Sequence, residues 1–197
     1  MTMEAISQVH QRHTVMVDDG SGVLIQPKTD QYSYILTARH NLLITPTNLE
    51  DGYKNPDDIE ITDINEQKIN VLEIFAHSDS EIDLAIILVE FQEGLSINLA
   101  LGTLPEEPYK FRLAGFPDTR RGNDNVIDKY SSYILNPVDE IQHKTICSVT
   151  DFVDYGSVVG FSGGGVFVFS DNGKHNYLAM IETQMDGDPD IEVHGRL

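Results

Sequence analysis

The stretch Gly160-Phe161-Ser162-Gly163-Gly164-Gly165 runs directly into the apolar segment Val166-Phe167-Val168-Phe169. A serine between glycines, on a loop that leads into a buried strand, stands where the backbone can expose a hydroxyl and direct its amides toward one point. The motif therefore suggests a nucleophile and an oxyanion hole.

Three other interpretations use the same glycines. A tight turn between two strands requires them, and the motif alone does not exclude it. A phosphate-binding loop is disfavoured because no lysine follows the glycines. A nucleophile elbow matches Gly160-x-Ser162-x-Gly164, but it places its acid and histidine after the serine in a long α/β chain, and too few residues follow Ser162 here. The partners of this serine are expected upstream.

The chain of 197 residues is long enough for one domain or two small coupled units. Its 32 acidic and 13 basic residues give a formal net charge of −19, which argues against unaided binding to nucleic acid or to an anionic membrane. The acidic residues form two clusters that are expected to be solvated loops: Glu50, Asp51, Asp57, Asp58, Glu60, Asp63 and Glu66; and Asp186, Asp188 and Asp190. The second cluster begins like a calcium loop, but Ile191 stands where the turn glycine belongs. We predict no structural metal and no cofactor.

Compartment is indicated by two features. Cys147 is the single cysteine, so it cannot form an internal disulfide, and its neighbours predict a packed strand residue in a reducing compartment. The first 13 residues are polar and lack the apolar core of a signal peptide, and no later segment approaches a membrane span. These features predict a cytoplasmic protein, although a secreted precursor cut before this segment would look the same.

The periodicity changes at Thr14. Residues 5–13 are predicted to form a short helix, because Ile6 and Val9 share one face. His10 and His13 have the same spacing, but on a short polar segment we expect them to be solvated rather than metal-bound.

From Thr14 onward the chain consists of short β-branched or aromatic runs separated by turns. The predicted strands include residues 15–17, 22–25, 34–38, 59–61, 69–74, 84–89, 111–114, 132–135, 145–149, 166–169 and 177–181. Such a pattern argues for an all-β protein of antiparallel sandwiches or barrels. A break at residues 102–108, with two prolines and two acids, divides it into halves of about six strands, residues 1–104 and 105–197.

Two further residues complete a set with Ser162. His40 ends the strand Leu36-Thr37-Ala38-Arg39-His40, and Asp83 stands at the mouth of the buried strand that begins Leu84-Ala85-Ile86. Taken singly, they are an ordinary strand-end histidine and an ordinary turn residue. Taken together with Ser162, they form a base, acid and nucleophile set in the order His, Asp, Ser.

These stretches resemble motifs of the trypsin-like serine peptidases, the chymotrypsin-fold superfamily. Gly20-Ser21-Gly22-Val23-Leu24-Ile25 resembles the family's Gly-Ser-Gly strand, and Leu36-Thr37-Ala38-Arg39-His40 resembles Leu-Thr-Ala-Ala-His. Ile82-Asp83-Leu84-Ala85-Ile86 resembles Asp-Leu-Ala-Leu, and the Ser162 motif resembles Gly-Asp-Ser-Gly-Gly-Pro. The matches cover most of the chain. The resemblance implies an all-β fold of two six-stranded antiparallel Greek-key barrels, with the active site in the cleft between them.

The resemblance also implies a serine endopeptidase. Ser162 would attack the scissile carbonyl, and His40 would act first as general base and then as general acid. Asp83 would fix the tautomer of His40, and the amides of Gly160 and Ser162 would hold the oxyanion. The first barrel would supply His40 and Asp83, and the second would supply Ser162.

The sequence departs from the family pattern at Phe161, Gly165 and Arg39. Phe161 replaces the aspartate that pairs with a new N-terminus in animal digestive enzymes, so the resemblance is closer to bacterial and intracellular members. Gly165 replaces the usual proline. Arg39 replaces the usual alanine and stands beside the base, where its charge would lower the pKa of the histidine.

The resemblance places Tyr155 and Gly156, with Glu182, Thr183 and Gln184, around the primary specificity pocket. A carboxylate at Glu182 would favour a basic residue before the cut if it faces the pocket, and would have no such effect if it faces solvent.

A second resemblance links Gly-x-Ser-Gly-Gly-Gly-Val-Phe and the later Glu182-Thr183-Gln184 to the trypsin-like modules of bacterial conflict and defence proteins. In those proteins a protease domain is joined to sensor or NTPase modules. The end of the chain, without the terminal helix of many relatives, fits a domain from a longer polypeptide. The expected partners are a protein or peptide substrate and a fused or associated sensor or NTPase module. Two rival functions remain: a catalytically silent trypsin-fold binding or sensing module that keeps the triad, and an esterase for small acyl substrates.

Overall fold

Paired strands dominate the structure, because the short apolar runs bury every second side chain when they lie side by side. The computed structural model describes residues 3–79, 82–95, 99–101, 109–120, 122, 125–141, 144–149, 159–170 and 176–181. These residues form two six-stranded sheets and a two-stranded hairpin. The prediction of an all-β protein is confirmed, and the antiparallel sheet curls into a half-barrel. None of the helices in this part of the chain is long and apolar enough to cross a bilayer.

Fourteen strands and two α-helices are described. The helices are α1 (Met3–Arg12) and α2 (Val126–Lys129). The strands are β1 (Thr14–Val17), β2 (Gly20–Ile25), β3 (Tyr32–Thr37), β4 (Leu43–Thr45), β5 (Asn48–Tyr53), β6 (Ile61–Thr62), β7 (Val71–Ala76), β8 (Ala85–Glu90), β9 (Leu99–Leu101), β10 (Tyr109–Gly115), β11 (Ser131–Ile141), β12 (Lys144–Val149), β13 (Gly165–Ser170) and β14 (Asn176–Ile181). Short 3₁₀ turns cover Arg39–Leu42, Pro56–Asp58 and Asp118–Arg120.

The first sheet has the order β6-β1-β2-β3-β8-β7, and its neighbours are antiparallel. Strands β3 and β8 alternate buried and half-buried residues, as expected for a sheet with one face on a core. That core includes Val15, Val17, Ile35, Ile87 and Val89. Strand β3 leads into the turn that carries His40, and Asp83 lies just before β8. Because β3 and β8 are antiparallel neighbours, both residues lie at the same end of the sheet.

The second sheet has the order β12-β11-β10-β13-β14-β9. Its strands pair antiparallel except β9, which is parallel to β14. The ladder between β11 and β12 shifts register next to Pro137, which lacks the N–H of a regular strand. Strand β13 begins directly after the glycine turn that carries Ser162. The predicted boundary at residues 102–108 lies outside the described residues.

Apolar side chains and the N-terminal helix connect the two sheets. Val23 of the first sheet packs in one cluster with Ala114, Phe167 and Leu178 of the second. Helix α1 comes from the start of the chain, yet its His10 ring stacks on Phe167, with ring centroids 4.5 Å apart. The first and second sheets are therefore fixed against each other by buried contacts.

The structure corrects the expectation that His10 and His13 are solvated. They are 0% and 2% exposed. His10 is covered by Phe167 and Phe169, while Nδ1 of His13 donates a 2.7 Å hydrogen bond to the carbonyl oxygen of Leu24. The helix presents the His10 ring to the second sheet, whereas His13, just after the helix, binds strand β2 of the first sheet. The local sequence shows neither contact.

The helix prediction is confirmed, and most predicted strands match observed ones within a few residues. The predicted strand at 59–61 overlaps β6 at Ile61 alone. Strands β4, β5 and β9 are additional. Glu50 and Asp51 of the first acidic cluster lie in β5 rather than in a loop, although both are exposed. Cys147 lies in β12, as predicted, and the second acidic cluster lies outside the described residues.

Candidate active site

His40 lies in the short 3₁₀ turn that ends strand β3. Ala38 and Leu42, on either side of it, are both fully buried, so the turn is anchored to the core from both ends. The side chain of His40 itself is 31% exposed. The ring therefore stands at the surface on a turn held by buried residues, a position that suits a candidate base.

Asp83 binds His40 through both carboxylate oxygens. The backbone N–H of His40 donates to Oδ1 at 2.9 Å, and Nδ1 donates to Oδ2 at 2.6 Å. Because an ionised carboxylate only accepts hydrogen bonds, Nδ1 must carry a proton, so in the neutral ring the second nitrogen, Nε2, is left as an acceptor. The structure brings this predicted pair together in the arrangement needed to fix a tautomer.

Two opposing effects act on the pKa of Asp83, and the one that favours the ionised carboxylate is larger. Burial alone would raise the pKa of this carboxyl. The hydrogen bonds and charge of His40, helped by the guanidinium of Arg39, outweigh burial and lower the pKa of Asp83 below its ordinary value. The carboxylate is thus the stable form near neutral pH.

Arg39 fastens the segment that leads to Asp83. Its side chain is 6% exposed, and Nη1 donates to the carbonyl oxygens of His77 and Asp79, at 3.4 and 2.8 Å. On its other side, Arg39 lines a cavity of about 460 Å³ between β5 and β7, together with Leu49, Tyr53, Ile74, Ala76, His77 and Ser78. Its charge acts on Asp83, and the expected effect on the pKa of the histidine remains a prediction.

Ser162 lies in a tight turn in which two glycines have backbone angles that other residues rarely adopt. Gly160 has φ of +97° and Gly163 has φ of +86°. The Gly164 amide closes the turn by donating to the carbonyl oxygen of Phe161 at 2.6 Å. Side chains would also not fit, because a Cβ on Gly163 would collide with the carbonyl oxygen of Ser21 and the hydroxyl of Thr37.

Phe161 anchors the turn by burial. It is 0% exposed, its ring centroid lies 5.6 Å from that of Tyr133, and it packs over Gly115, where a Cβ would come within 2.6 Å of the Phe161 ring. An apolar anchor thus occupies the position at which the resemblance leads one to expect an ion-paired aspartate.

Hydrogen bonds from the first sheet hold the Ser162 turn in place. The Ser21 amide donates to the carbonyl oxygen of Ser162 at 2.8 Å, and the Ser21 hydroxyl donates to that of Gly160 at 2.8 Å. The same hydroxyl accepts from the Phe116 amide at 2.9 Å. The side-chain amide of Asn41, the residue after His40, donates to the carbonyl oxygen of Ser162 at 2.8 Å. Ser162 is therefore brought next to the His40 turn, although the two are far apart in the chain.

In the predicted triad, the Ser162 hydroxyl would meet the His40 ring. Within the described part of the chain, no hydrogen bond joins it to the His40 ring, and the amides of Gly160 and Ser162 have no acceptor. Catalytic hydrogen bonds are often long or poorly aligned without substrate. An oxyanion hole also needs amides that the protein itself does not use.

Ser21 and Asn41 are candidate functional residues that the sequence does not single out. Adjacency to His40 is a local signal for Asn41. Ser21 has no comparable signal, because its contacts with Gly160 and Ser162 arise only when the two sheets meet.

The predicted specificity residues Tyr155, Gly156, Glu182, Thr183 and Gln184 lie outside the described residues. In the part of the chain that the structure covers, no group of three or more His, Cys, Asp or Glu side chains is arranged to hold a metal ion. The described site thus consists of His40, Asp83, Ser162 and the backbone around them.

No protein-family model matches the chain, and no curated protein shows significant similarity to it. An inference about activity therefore rests on the contacts around His40 and Ser162, together with the sequence resemblance.

Proposed function

We propose that this chain is a serine endopeptidase of the trypsin-like type. The observation that carries the proposal is the His40–Asp83 pair, which is joined by hydrogen bonds of 2.9 and 2.6 Å. The turn that carries Ser162 lies beside this pair, because Asn41, the residue after His40, donates a hydrogen bond to the carbonyl oxygen of Ser162. A base with a fixed tautomer next to a serine on a glycine turn is the arrangement that generates a serine nucleophile.

The proposed mechanism follows from the protonation of His40. With its proton on Nδ1, the ring accepts the Ser162 proton at Nε2 while Oγ attacks the scissile carbonyl carbon. The imidazolium that forms is stabilised by the Asp83 carboxylate and then protonates the leaving amine. A water molecule, activated by the same ring, releases the acyl group from Ser162 in the second half of the reaction.

The proposed oxyanion hole consists of the amides of Gly160 and Ser162. Two features support it: neither amide has an acceptor in the described part of the chain, and the φ of +97° at Gly160 is open to glycine at little cost. One such donor contributes about 3 to 4 kcal/mol of transition-state stabilisation in comparable sites.

We extend the proposal to the closed fold, the substrate class and the cellular role. The fold is proposed to close into two six-stranded barrels, residues 1–104 and 105–197, with the site between them. The substrate is a protein or peptide, and the formal charge of −19 disfavours nucleic acid and anionic membranes as partners. A cytoplasmic role in bacterial defence, under the control of a fused or associated sensor or NTPase module, is proposed from the sequence resemblance.

A second candidate function is a binding or sensing module that keeps the triad without turnover. Within the described residues no hydrogen bond joins the Ser162 hydroxyl to the His40 ring, which agrees with this alternative as well as with a peptidase that has no substrate bound. Activity against small esters would be a further consequence of the same machinery, since an acyl-enzyme also forms from an ester.

Labelling with a fluorophosphonate probe separates these functions. The probe should modify the wild-type protein, and Ser162→Ala should abolish the label. Ser78→Ala is a matched control, because Ser78 is an exposed serine outside the Ser162 turn, and this variant should be labelled at the wild-type rate. Labelling that survives Ser162→Ala would refute the nucleophile assignment, whereas an unlabelled wild-type protein would favour the binding module.

A further inference from the structure

The side chain of Asn41 joins the two turns that carry the candidate base and nucleophile. Its Nδ2 donates to the carbonyl oxygen of Ser162 at 2.8 Å and to the hydroxyl of Thr37 at 3.0 Å. Asn41 and Ser162 are 121 residues apart in the chain. Because Asn41 follows His40 directly, this contact ties Ser162 to the residue beside the base.

Gly20 provides the space that Asn41 needs. A Cβ on Gly20 would come within 2.6 Å of both Cγ and Oδ1 of Asn41, closer than real contacts allow. Gly20 lies in β2 outside the left-handed region of backbone space, so its conformation does not itself require glycine. The missing side chain at position 20 therefore serves the side chain at position 41.

The carbonyl group of Ser162 receives two hydrogen bonds from the first half of the chain. One comes from the Ser21 amide at 2.8 Å and the other from Asn41 at 2.8 Å. A carbonyl oxygen has two lone pairs, so both are occupied and the peptide plane that follows Ser162 is fixed. The direction of the Ser162 Cα–Cβ bond depends on that plane.

We propose that Asn41 is a positioning residue, which aligns Ser162 with His40 from a space left open by Gly20. This inference rests on the proposed function. Asn41 acts through the backbone of Ser162 and does not itself touch the reacting atoms. It makes the position of the nucleophile depend on the position of the turn that carries the base.

Two single variants and their combination test the proposal. Asn41→Ala removes the hydrogen bond, while Gly20→Ala keeps the asparagine and displaces it. Each should lower the rate of fluorophosphonate labelling by about 10- to 100-fold, since a misplacement of about 1 Å can cost that much. In the double variant, the second substitution should add no further loss, because Gly20→Ala acts only through the asparagine.

The kinetic signature distinguishes positioning from simple support of the fold. With an ester substrate, kcat should fall while KM changes little. The acid limb of the pH–rate profile should keep its midpoint, because the His40–Asp83 pair is untouched. A purely structural role would lower the melting temperature and leave the labelling rate of the folded protein unchanged, and that result would overturn the proposal. Fully additive losses in the double variant would also overturn it.

Hydrogen exchange provides a readout that does not depend on activity. Asn41→Ala should speed exchange of the amides in the turn around Ser162, and it should leave strand β8 unchanged as an internal control. If the wild-type protein is not labelled by the probe, the proposed function fails, and exchange still decides whether Asn41 holds the turn. Unchanged exchange around Ser162 would reject that role.

Discussion

Replacement of Asp83 by asparagine should abolish most of the activity while leaving the fold intact. In the structure, Oδ1 accepts from the His40 backbone at 2.9 Å and Oδ2 accepts from Nδ1 at 2.6 Å. An asparagine can keep the first bond with its carbonyl oxygen, but it must then present its NH₂ group to Nδ1. The ring would respond by carrying its proton on Nε2, where it cannot accept the proton of Ser162.

The size of the loss follows from this change of tautomer. In a triad with the same chemistry, the equivalent substitution lowers kcat by about 10⁴-fold, which corresponds to about 5.5 kcal/mol of transition-state stabilisation. The effect on stability should be far smaller. The side chains of His40 and Asp83 are 31% and 28% exposed, and a partly exposed pair of this kind contributes on the order of 1 kcal/mol.

The assay compares the rates of fluorophosphonate labelling and ester hydrolysis for the wild-type protein, Asp83→Asn and Asp57→Asn. Asp57 is an exposed aspartate in the Pro56–Asp58 turn, so its variant makes the same chemical change away from the site and should behave like the wild-type protein. A loss of less than tenfold in Asp83→Asn, with the fold preserved, would refute the proposed role of the carboxylate.

Three further predictions concern stability. Phe161→Ala should lower the free energy of unfolding by about 3 to 5 kcal/mol, as for other buried phenylalanines, while Val159→Ala, at an exposed position, should change it by less than about 0.5 kcal/mol in the same denaturant titration. Gly163→Ala and Gly94→Ala both place alanine at positive φ, but of these two positions only Gly163 is crowded by neighbouring atoms. Gly94→Ala should lower the free energy of unfolding by about 1 to 2 kcal/mol, and Gly163→Ala should lower it clearly more. Equal losses would contradict the steric argument. Because His40 lowers the pKa of Asp83 in the folded state, the Asp83 carboxylate stabilises the fold at pH values above its ordinary pKa of 3.8. The difference in the free energy of unfolding between the wild-type protein and Asp83→Asn should disappear as the pH falls through the lowered folded-state pKa. A difference that stays constant from pH 6 downward would contradict this prediction.

Local pattern was sufficient to predict most strands, because alternation of apolar residues determines which side of a strand is buried. Strand β8 shows this: Ala85, Ile87 and Val89 are buried, and the residues between them are partly exposed. Strand β5 escaped prediction because Glu50 and Asp51 interrupt any alternation. It forms because it pairs with β4, which is a property of the neighbouring segment rather than of its own composition.

In the candidate site, too, local sequence predicts some features, while others depend on how the two sheets pack together. The sequence places His40 and Asp83 each at the end of a predicted strand, and the structure joins them because β3 and β8 are antiparallel neighbours. The contacts of Ser21 and Asn41 with the Ser162 turn depend on how the two sheets meet, and nothing in the neighbouring residues encodes that meeting. The burial of His10 has the same origin, since its covering ring, Phe167, comes from the second sheet.

The anchor of the Ser162 turn bears on how activity would be controlled. An aspartate at position 161 would need a cationic partner that a cleavage event can supply, whereas the buried Phe161 needs only Tyr133 and the space over Gly115. Burial of an apolar ring is complete once the chain has folded, so the turn does not wait for a cut. In the proposed peptidase, Ser21 and Asn41 then hold the backbone of the turn through hydrogen bonds to the carbonyl oxygen of Ser162. Of these two residues, Asn41 is the one that follows His40 directly, so its side chain couples the turns that carry the candidate base and nucleophile.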